Sequence, residues 1–508
     1  MKFNLNLLLD SWIPVNTKAG KIIQISLEEL LCNKEHKGYE IICHRDDMQV
    51  AVLQLIICLV QSVFLIKDSE LKNYINNPIS AKEYQKKIKP YVDWFNLRDV
   101  KQPFLQTNSV NTKDIVPIQK LFNGLPEGNN HTWHYDPNSR IDKVCSSCAA
   151  IILFNQSTNS PSFGGGFKNP LRGATPLTTL IKGKNLRETI WLNILTEEFL
   201  SKSYGKLDKL INVPNWVLKV NKDSEVSGKD IGLIRGLFWQ PAVVELVWQD
   251  GNANANCDSC STTSELMVVG FRRQNFTYKL TSDFLHPHSP RYFLRKDGET
   301  KEIYQSYKDL PWWTQVINLV MDRDNGAPAL VVNQYKELFP EKELSLMISG
   351  YNNNQAKITQ RSYLTFSLPT NWLQNRKYIE SHLNLALEIA SILRKKGYGI
   401  GKSVGLDLLP GDSLSNLLTD LQKSYYQAIE PLMIDFVSDI SNYVNINSNM
   451  DKGNTEAKDI NENLKEALTT VADKHLTDFA NDYQLNANFS TSLKQAIDLT
   501  VEKLIANA

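Results

Sequence analysis

Apolar residues recur at two different spacings along the chain, and the change falls near residue 370. Before it, short apolar or β-branched runs such as Leu266-Met-Val-Val-Gly270 and Ala329-Leu-Val-Val-Asn333 are broken by turn residues, the strand signal of a mixed α/β body. One longer run, Val50 to Ile66, is near the lower length limit for a membrane span. Gln54 and Gln61 recur on one helical face of it and Arg45-Asp46-Asp47 precede it, which marks a buried core helix with a polar seam. From Trp372 on the spacing becomes helical: Ile379, Leu383, Ala386, Ala390 and Leu393 form one stripe, and Arg394-Lys395-Lys396-Gly397 reads as its basic last turn and glycine stop. Further stripes run through Leu414, Leu418, Leu421, Tyr425, Ala428 and Leu432, through Ile460, Leu464, Leu468, Val471 and Phe479, and through Leu493, Ile497, Val501 and Leu504. Pro431 is expected to kink or break the second helix, and the polar stretch Asn445 to Lys458 to form a loop. The predicted fold is α+β, a large mixed α/β domain over residues 1–371 followed by a C-terminal four-helix bundle over 372–508.

Composition changes this picture little, with 42% hydrophobic and 22% charged residues in 508, ordinary for a globular chain and excluding a wholly disordered or collagen-like one. The net charge of +1 gives no overall attraction to a polyanion, so any such partner must meet a local patch. Charge is uneven: residues 371–508 carry 13 Lys and Arg against 18 Asp and Glu. The first ten residues hold an apolar run too short for a signal-peptide core, so a cytoplasmic protein with no membrane partner is expected. Seven cysteines, an odd number, argue against a disulfide framework.

Four of those cysteines carry the clearest chemistry. Cys145-Ser-Ser-Cys148 and Cys257-Asp-Ser-Cys260 are two Cys-x-x-Cys knuckles, the ligand set of a closed, structural zinc site. The 108 residues between the pairs exceed the roughly 15 to 20 of a compact ribbon, which leaves two unrelated reduced pairs as the alternative. A redox dithiol is less favoured, because neither pair opens a helix in an evident strand–helix–strand unit. Phe163-Gly164-Gly165-Gly166-Phe167-Lys168, with Arg172 beyond it, allows a backbone to press against a partner while Lys168 and Arg172 meet phosphates; a flexible turn is the plain alternative. Asn354, Gln355 and Ala356 lie in an Asn-rich segment suited to base-edge contacts or simply to a polar turn, and Trp133 and His134 suit stacking on single-stranded RNA or a buried aromatic core. His286-Pro-His288 and Asp46-Asp47 are possible metal ligands without a third partner at a recognisable spacing, and no hydrolase or dinucleotide fingerprint is present.

Taken together these residues resemble the large subunit (CasA family) of the type I-E CRISPR surveillance complex, Cascade. The resemblance rests on Leu8-Leu-Asp-Ser-Trp-Ile-Pro-Val15, Arg45-Asp-Asp-Met48, Leu153-Phe-Asn-Gln156, Phe163 to Lys168, Leu171-Arg-Gly173, Arg235-Gly-Leu-Phe-Trp-Gln-Pro-Ala242, His286-Pro-His-Ser-Pro290 and Asn353-Asn-Gln-Ala356, in collinear order. It implies a non-catalytic DNA reader that sits at the 5′ end of the CRISPR RNA and checks double-stranded target DNA for the protospacer-adjacent motif. It also implies that the chain helps open the duplex into an R-loop, joins other Cascade subunits and helps recruit the helicase-nuclease. Phe163 to Phe167 would be the motif-facing glycine loop and Gln355 the wedge between Asn354 and Ala356. Where the family pattern has a lysine before a Phe-Thr-aromatic run, this chain has Asn275, with Arg273 as a substitute cation. The resemblance also favours one zinc shared by all four cysteines. The alternatives are a zinc-stabilised scaffold that only holds the RNA 5′ end through Trp133 and His134, and a metal-dependent nuclease using His286 and His288.

Overall fold

The computed structural model describes residues 4–34, 39–108, 110–125, 140–205, 213–250, 255–296, 299–308, 310–354, 357–403, 405–408, 411–447 and 453–482. They divide into two units: residues 1–308, 322–338 and 346–365 form the first, and residues 309–321, 339–345 and 366–508 the second.

The first unit is organised by the helix Asp46–Val63, whose residues from Val50 to Val63 are all buried. It is long and apolar enough to cross a membrane, yet 89% of it is buried inside its own unit, and the predicted polar seam is what fits it there. Gln61 exchanges two hydrogen bonds with the backbone of Leu195, at 3.1 and 2.6 Å, and the Gln54 amide lies 3.3 Å from the His288 ring. The Gln61 amide, with both its groups paired, costs little to bury and fixes the rotation of the helix. Helix Ser146–Thr158 packs on this core helix and is itself buried at every residue.

Two three-stranded sheets carry the segments of interest. In one, Leu266–Asn275 lies between Val116–Pro117 and Ala242–Asp250, antiparallel to both, with an irregularity in register between Val247 and Trp248. Gly270 is needed there, since a Cβ would stand 2.7 Å from the Val116 carbonyl oxygen. In the other, Leu344–Asn354 lies between Lys357–Leu368 and Thr178–Ile181. The strand expected at Ala329 to Asn333 is instead part of helix Leu330–Leu338. Four apolar residues in a row cannot decide between the two, and burial of Leu330, Val331, Gln334 and Tyr335 shows the helical period winning.

In the second unit three long helices, Arg376–Ser403, Ser413–Asn447 and Gly453–Asp482, pack against one another. The fourth predicted stripe, Leu493 to Leu504, lies outside the described residues. Gly397 does not stop its helix, which runs on to Ser403. It is instead a point of close approach: a Cβ there would come within 2.9 Å of both Leu418 and Leu421. Nor does Pro431 break Ser413–Asn447. The carbonyl that loses its donor belongs to exposed Gln427, where water can replace it, and Ile429, Met433, Phe436 and Val437 are buried on either side. The expected Ala428 and Leu432 give way to Ile429 and Met433, because the stripe continues from Tyr425 in steps of four. Residues 445–447 and 453–458, expected as loop, are helical, since a polar stretch lacks apolar periodicity without being unable to form a helix.

Candidate functional site

Beyond helix Ser146–Thr158 the chain is turned off its axis by Ser160, whose hydroxyl donates to the Asn155 carbonyl (3.1 Å), and by Gln156, which donates to the Pro161 carbonyl (3.0 Å). The chain then enters the glycine loop. Its base is closed by Ser162 N–H donating to Asn169 Oδ1 (3.0 Å), and its turn by Phe167 N–H donating to the Gly164 carbonyl (3.0 Å). Gly164, Gly165 and Gly166 have φ of 75°, 52° and 86°, three consecutive left-handed residues that only glycine adopts without strain. Gly165 and Gly166 are exposed, and a Cβ on Gly165 would meet nothing within 4 Å.

Strand Leu266–Asn275 faces this loop with every second residue. Phe271 lies under Phe163, ring centroids 5.6 Å apart, and the Arg273 guanidinium sits 4.9 Å from the Phe163 ring and 5.0 Å from the Phe167 ring. Asn275, two residues on, is exposed, with Nδ2 3.8 Å from the place of a Cβ on Gly166. Arg272 and Gln274 face the other way, to Glu245 and to the Asn111 N–H. The fold thus brings together Phe163, Gly164, Gly165, Gly166, Arg273 and Asn275, with Lys168 exposed at the end of the loop. Arg172 is not a surface cation. It is fully buried and donates to Ser289 Oγ (2.7 Å), Asn159 Oδ1 (2.6 Å), Thr178 Oγ1 (2.8 Å) and the Leu177 carbonyl (3.1 Å), so its charge organises the core and meets no phosphate.

Asn354 ends one strand and Lys357 begins its neighbour; Gln355 and Ala356, between them, lie outside the described residues, as do Trp133 and His134. Below the tip, the Asn353 side chain accepts from Thr175 (3.2 Å) and Tyr351 is buried. The Tyr351 hydroxyl donates to Asp47 Oδ2 (3.0 Å) and accepts from Asn155 Nδ2 (2.8 Å), while Arg45 grips Asp47 with two bonds of 3.0 and 2.8 Å. Burial first, and then the Asp47 charge, push the Tyr351 phenol well above its usual value. Asp46 and Asp47 therefore open the core helix as ion-pair partners of Arg45 and of Arg361 (3.4 and 3.5 Å). Reasoning from the sequence missed Tyr351. Its partners lie in two of the blocks that carried the resemblance, Arg45 to Met48 and Leu153 to Gln156, whose common destination no spacing reveals.

The four paired cysteines converge despite their separation. Their sulfurs lie within 4.8 Å of one another, with Cys145 Sγ 3.7 Å from Cys260 Sγ. Zn–S bonds of about 2.3 Å in a tetrahedron place sulfurs roughly 3.8 Å apart, so the donor set fits a zinc ion in both type and span. Hydrogen bonds from Cys145 and Cys148 lower the Cys257 and Cys260 thiols, while Cys148 is pushed up. Cys145 is the N-cap of helix Ser146–Thr158, so this pair does open a helix, although among the described residues no parallel strands flank it. The Cys257 pair is a turn closed by Ser261 N–H donating to the Cys257 carbonyl (2.8 Å). Asp258 joins the two pairs, its carboxylate accepting from the N–H groups of Asp142 and Lys143 at 2.9 Å each.

His286 and His288 are buried, and the His288 N–H donates to His286 Nδ1 (3.1 Å). Burial, reinforced by the Arg172 charge, lowers both, His288 to about 3, so both are neutral core groups at physiological pH. No third ligand joins them among the described residues.

The chain matches the profile of the family described as CRISPR-associated protein Cse1 over residues 6–474. Its fold is similar to that of Thermus thermophilus CasA (Cse1), with a TM-score of 0.68 at 17% identity over 99% of both chains. Cse1 from Acidimicrobium ferrooxidans superposes with a TM-score of 0.64 at 14% identity over 100% of this chain and 98% of that one. A chain of a solved CRISPR RNA-guided surveillance complex does so at 0.65 and 14% identity, covering 98% of this chain and 99% of that one.

Proposed function

Because this chain belongs to the CRISPR-associated Cse1 family, we propose that it is the non-catalytic large subunit of an RNA-guided surveillance complex and reads the protospacer-adjacent motif in double-stranded DNA. The observation that carries this reading is the juxtaposition of an exposed left-handed glycine turn with the exposed Asn275 amide. A backbone without Cβ atoms can lie against the floor of a minor groove, and an amide with one donor and one acceptor side can address the degenerate pattern there. Lys168 is placed to meet a flanking phosphate. With an asparagine where the family pattern has lysine, the preferred flank is set by hydrogen bonding and shape more than by charge.

In this reading the connection Asn354-Gln355-Ala356 is the wedge beside the first target base pair. Unstacking a step costs a few kcal/mol, which contacts along the opened strands offset, and sequence choice beyond the motif falls to the RNA. The half-buried tie of Asn353 and the buried tie of Tyr351 support the idea by giving such a wedge an anchored root. Zinc held by Cys145, Cys148, Cys257 and Cys260 would be structural, since four thiolates leave no open position. The helical C-terminal part, proposed as a four-helix bundle over 372–508, would face other subunits and, after R-loop formation, help recruit the helicase-nuclease. The test is binding of the guide-loaded complex, with and without this chain, to duplexes randomised at the flanking base pairs. Enrichment of particular flanks only when the chain is present is the expected result. Equal binding to all flanks, with CRISPR RNA retained only when the chain is present, would instead make it an RNA scaffold acting through Trp133 and His134.

A further inference from the structure

The Arg273 side chain is committed to the glycine loop. Its guanidinium stands 4.9 Å from the Phe163 ring centroid and 5.0 Å from that of Phe167, and these two rings meet edge to face at 5.6 Å. From the same position Nη1 donates to the Phe163 carbonyl at 3.2 Å. One planar cation therefore holds both aromatic ends of the loop and its first carbonyl at once, a geometry that a flat, delocalised guanidinium offers and an ammonium does not.

The loop needs such a tie. Three successive left-handed glycines carry the largest backbone entropy of any residue type, and a Cβ on Gly165 would touch nothing, so little packs against the crest of the turn. The bond from Phe167 N–H to Gly164 closes only its interior. Phe163 and Phe167 are half-buried, with Phe271 packing against Phe163 from below.

From this arrangement we infer that Arg273 is a positioning residue: it fixes the shape of the glycine loop and its distance from Asn275, and it is not a direct reader of bases or phosphates. The inference rests on the motif-reading proposal for its consequence in DNA binding, but its structural half stands apart from it. Strand periodicity then assigns distinct work to three residues of one face, Phe271 as floor, Arg273 as clamp and Asn275 as contact.

The test uses the full-length chain, free and in the guide-loaded complex, as Arg273→Gln and Arg273→Lys. In the free chain, amide hydrogen exchange at Gly164 to Phe167 is expected to quicken about tenfold or more in Arg273→Gln and less in Arg273→Lys. The Val268 amide, which donates to the Val144 carbonyl at 2.8 Å at the far end of the strand, should stay unchanged. In the complex, discrimination between preferred and other flanks should fall while the salt dependence of binding to non-target duplex keeps its slope, because no phosphate contact has been removed. A slope reduced by about one, the signature of a lost phosphate contact, with unchanged exchange in the loop would overturn the clamp and make Arg273 a direct contact. Faster exchange in a protein whose unmodified complex shows no flank preference would leave the clamp standing and remove the motif-reading proposal.

Discussion

Gly165→Ala separates the fold of the glycine loop from its use. At a φ of 52° an alanine costs about 1–2 kcal/mol relative to glycine, and the smaller freedom of the unfolded alanine chain returns about 0.4–1 kcal/mol. Nothing lies within 4 Å of the new methyl group, so no clash is added. The net loss of stability should be about 1 kcal/mol, a fall in Tm of about 1–2 °C for a body of this size. Gly20 provides a matched control, since it too is exposed and left-handed (φ 76°) with nothing within 4 Å of a Cβ, in a turn where it donates to the Thr17 carbonyl. Gly20→Ala should therefore melt like Gly165→Ala. Only Gly165→Ala should impair binding of the guide-loaded complex to motif-bearing duplex. Losing one close backbone approach is worth about 1.5 kcal/mol, or roughly tenfold in Kd. Melting of the free chain and titration of labelled duplex measure the two effects. Equal DNA binding by both variants would refute the placement of the loop against DNA, and a stability loss beyond about 3 kcal/mol would refute the open space above Gly165.

Three further groups have expected outcomes of their own. Tyr351→Phe leaves the Asn155 amide and one Asp47 oxygen short of a buried partner and should lower stability by about 2–4 kcal/mol in denaturant unfolding; a loss under about 0.5 kcal/mol would show that the network carries no energy. Elemental analysis should find about one zinc per chain, and Cys148→Ser should abolish it together with resistance to chelator; a metal-free, fully folded chain would exclude the shared site. His288 is neutral in the folded chain down to about pH 3, whereas the unfolded imidazole takes a proton near 6.5. Stability should therefore be intact above pH 6.5 and fall below it, by up to about 1.4 kcal/mol per pH unit for this group; His288→Gln should flatten that decline, and an unchanged slope between pH 4 and 6.5 would contradict the buried neutral ring.

What the sequence disclosed was local. Strand Leu266–Asn275 and the helical stripes were visible because periodicity is written between near neighbours, and Gln54 and Gln61 announced the polar seam of a core helix in the same way. The cysteine pairs were legible as ligands, but their meeting across 108 residues was not, because spacing holds no record of how the intervening chain returns. Arg172 looked like a phosphate contact because basic residues beside glycines often are, and nothing nearby in sequence betrayed Ser289. Gly397 and Pro431 misled for a common reason. Both are local punctuation, and tertiary packing used one as a contact point and tolerated the other on an exposed face. The grip of Arg273 on Phe163 and Phe167 joins residues 110 and 106 positions apart, so only the assembled sheet could display it.

The cysteine cluster and the glycine loop lie at opposite ends of one pair of tongs. Helix Ser146–Thr158, about 20 Å long at 1.5 Å per residue, leaves Cys145 and leads to Phe163. Strand Leu266–Asn275 leaves the Cys257–Cys260 turn and arrives at Asn275. The arms are pinned at the root by the Val144–Val268 bridge and the Asp258 bonds, and they touch again at the tip through Arg273. With the helix buried along its whole length and the strand paired on both sides, the gap between loop and amide is spanned by two stiff elements fixed to each other at both ends, so the cysteine cluster and Arg273 set it jointly.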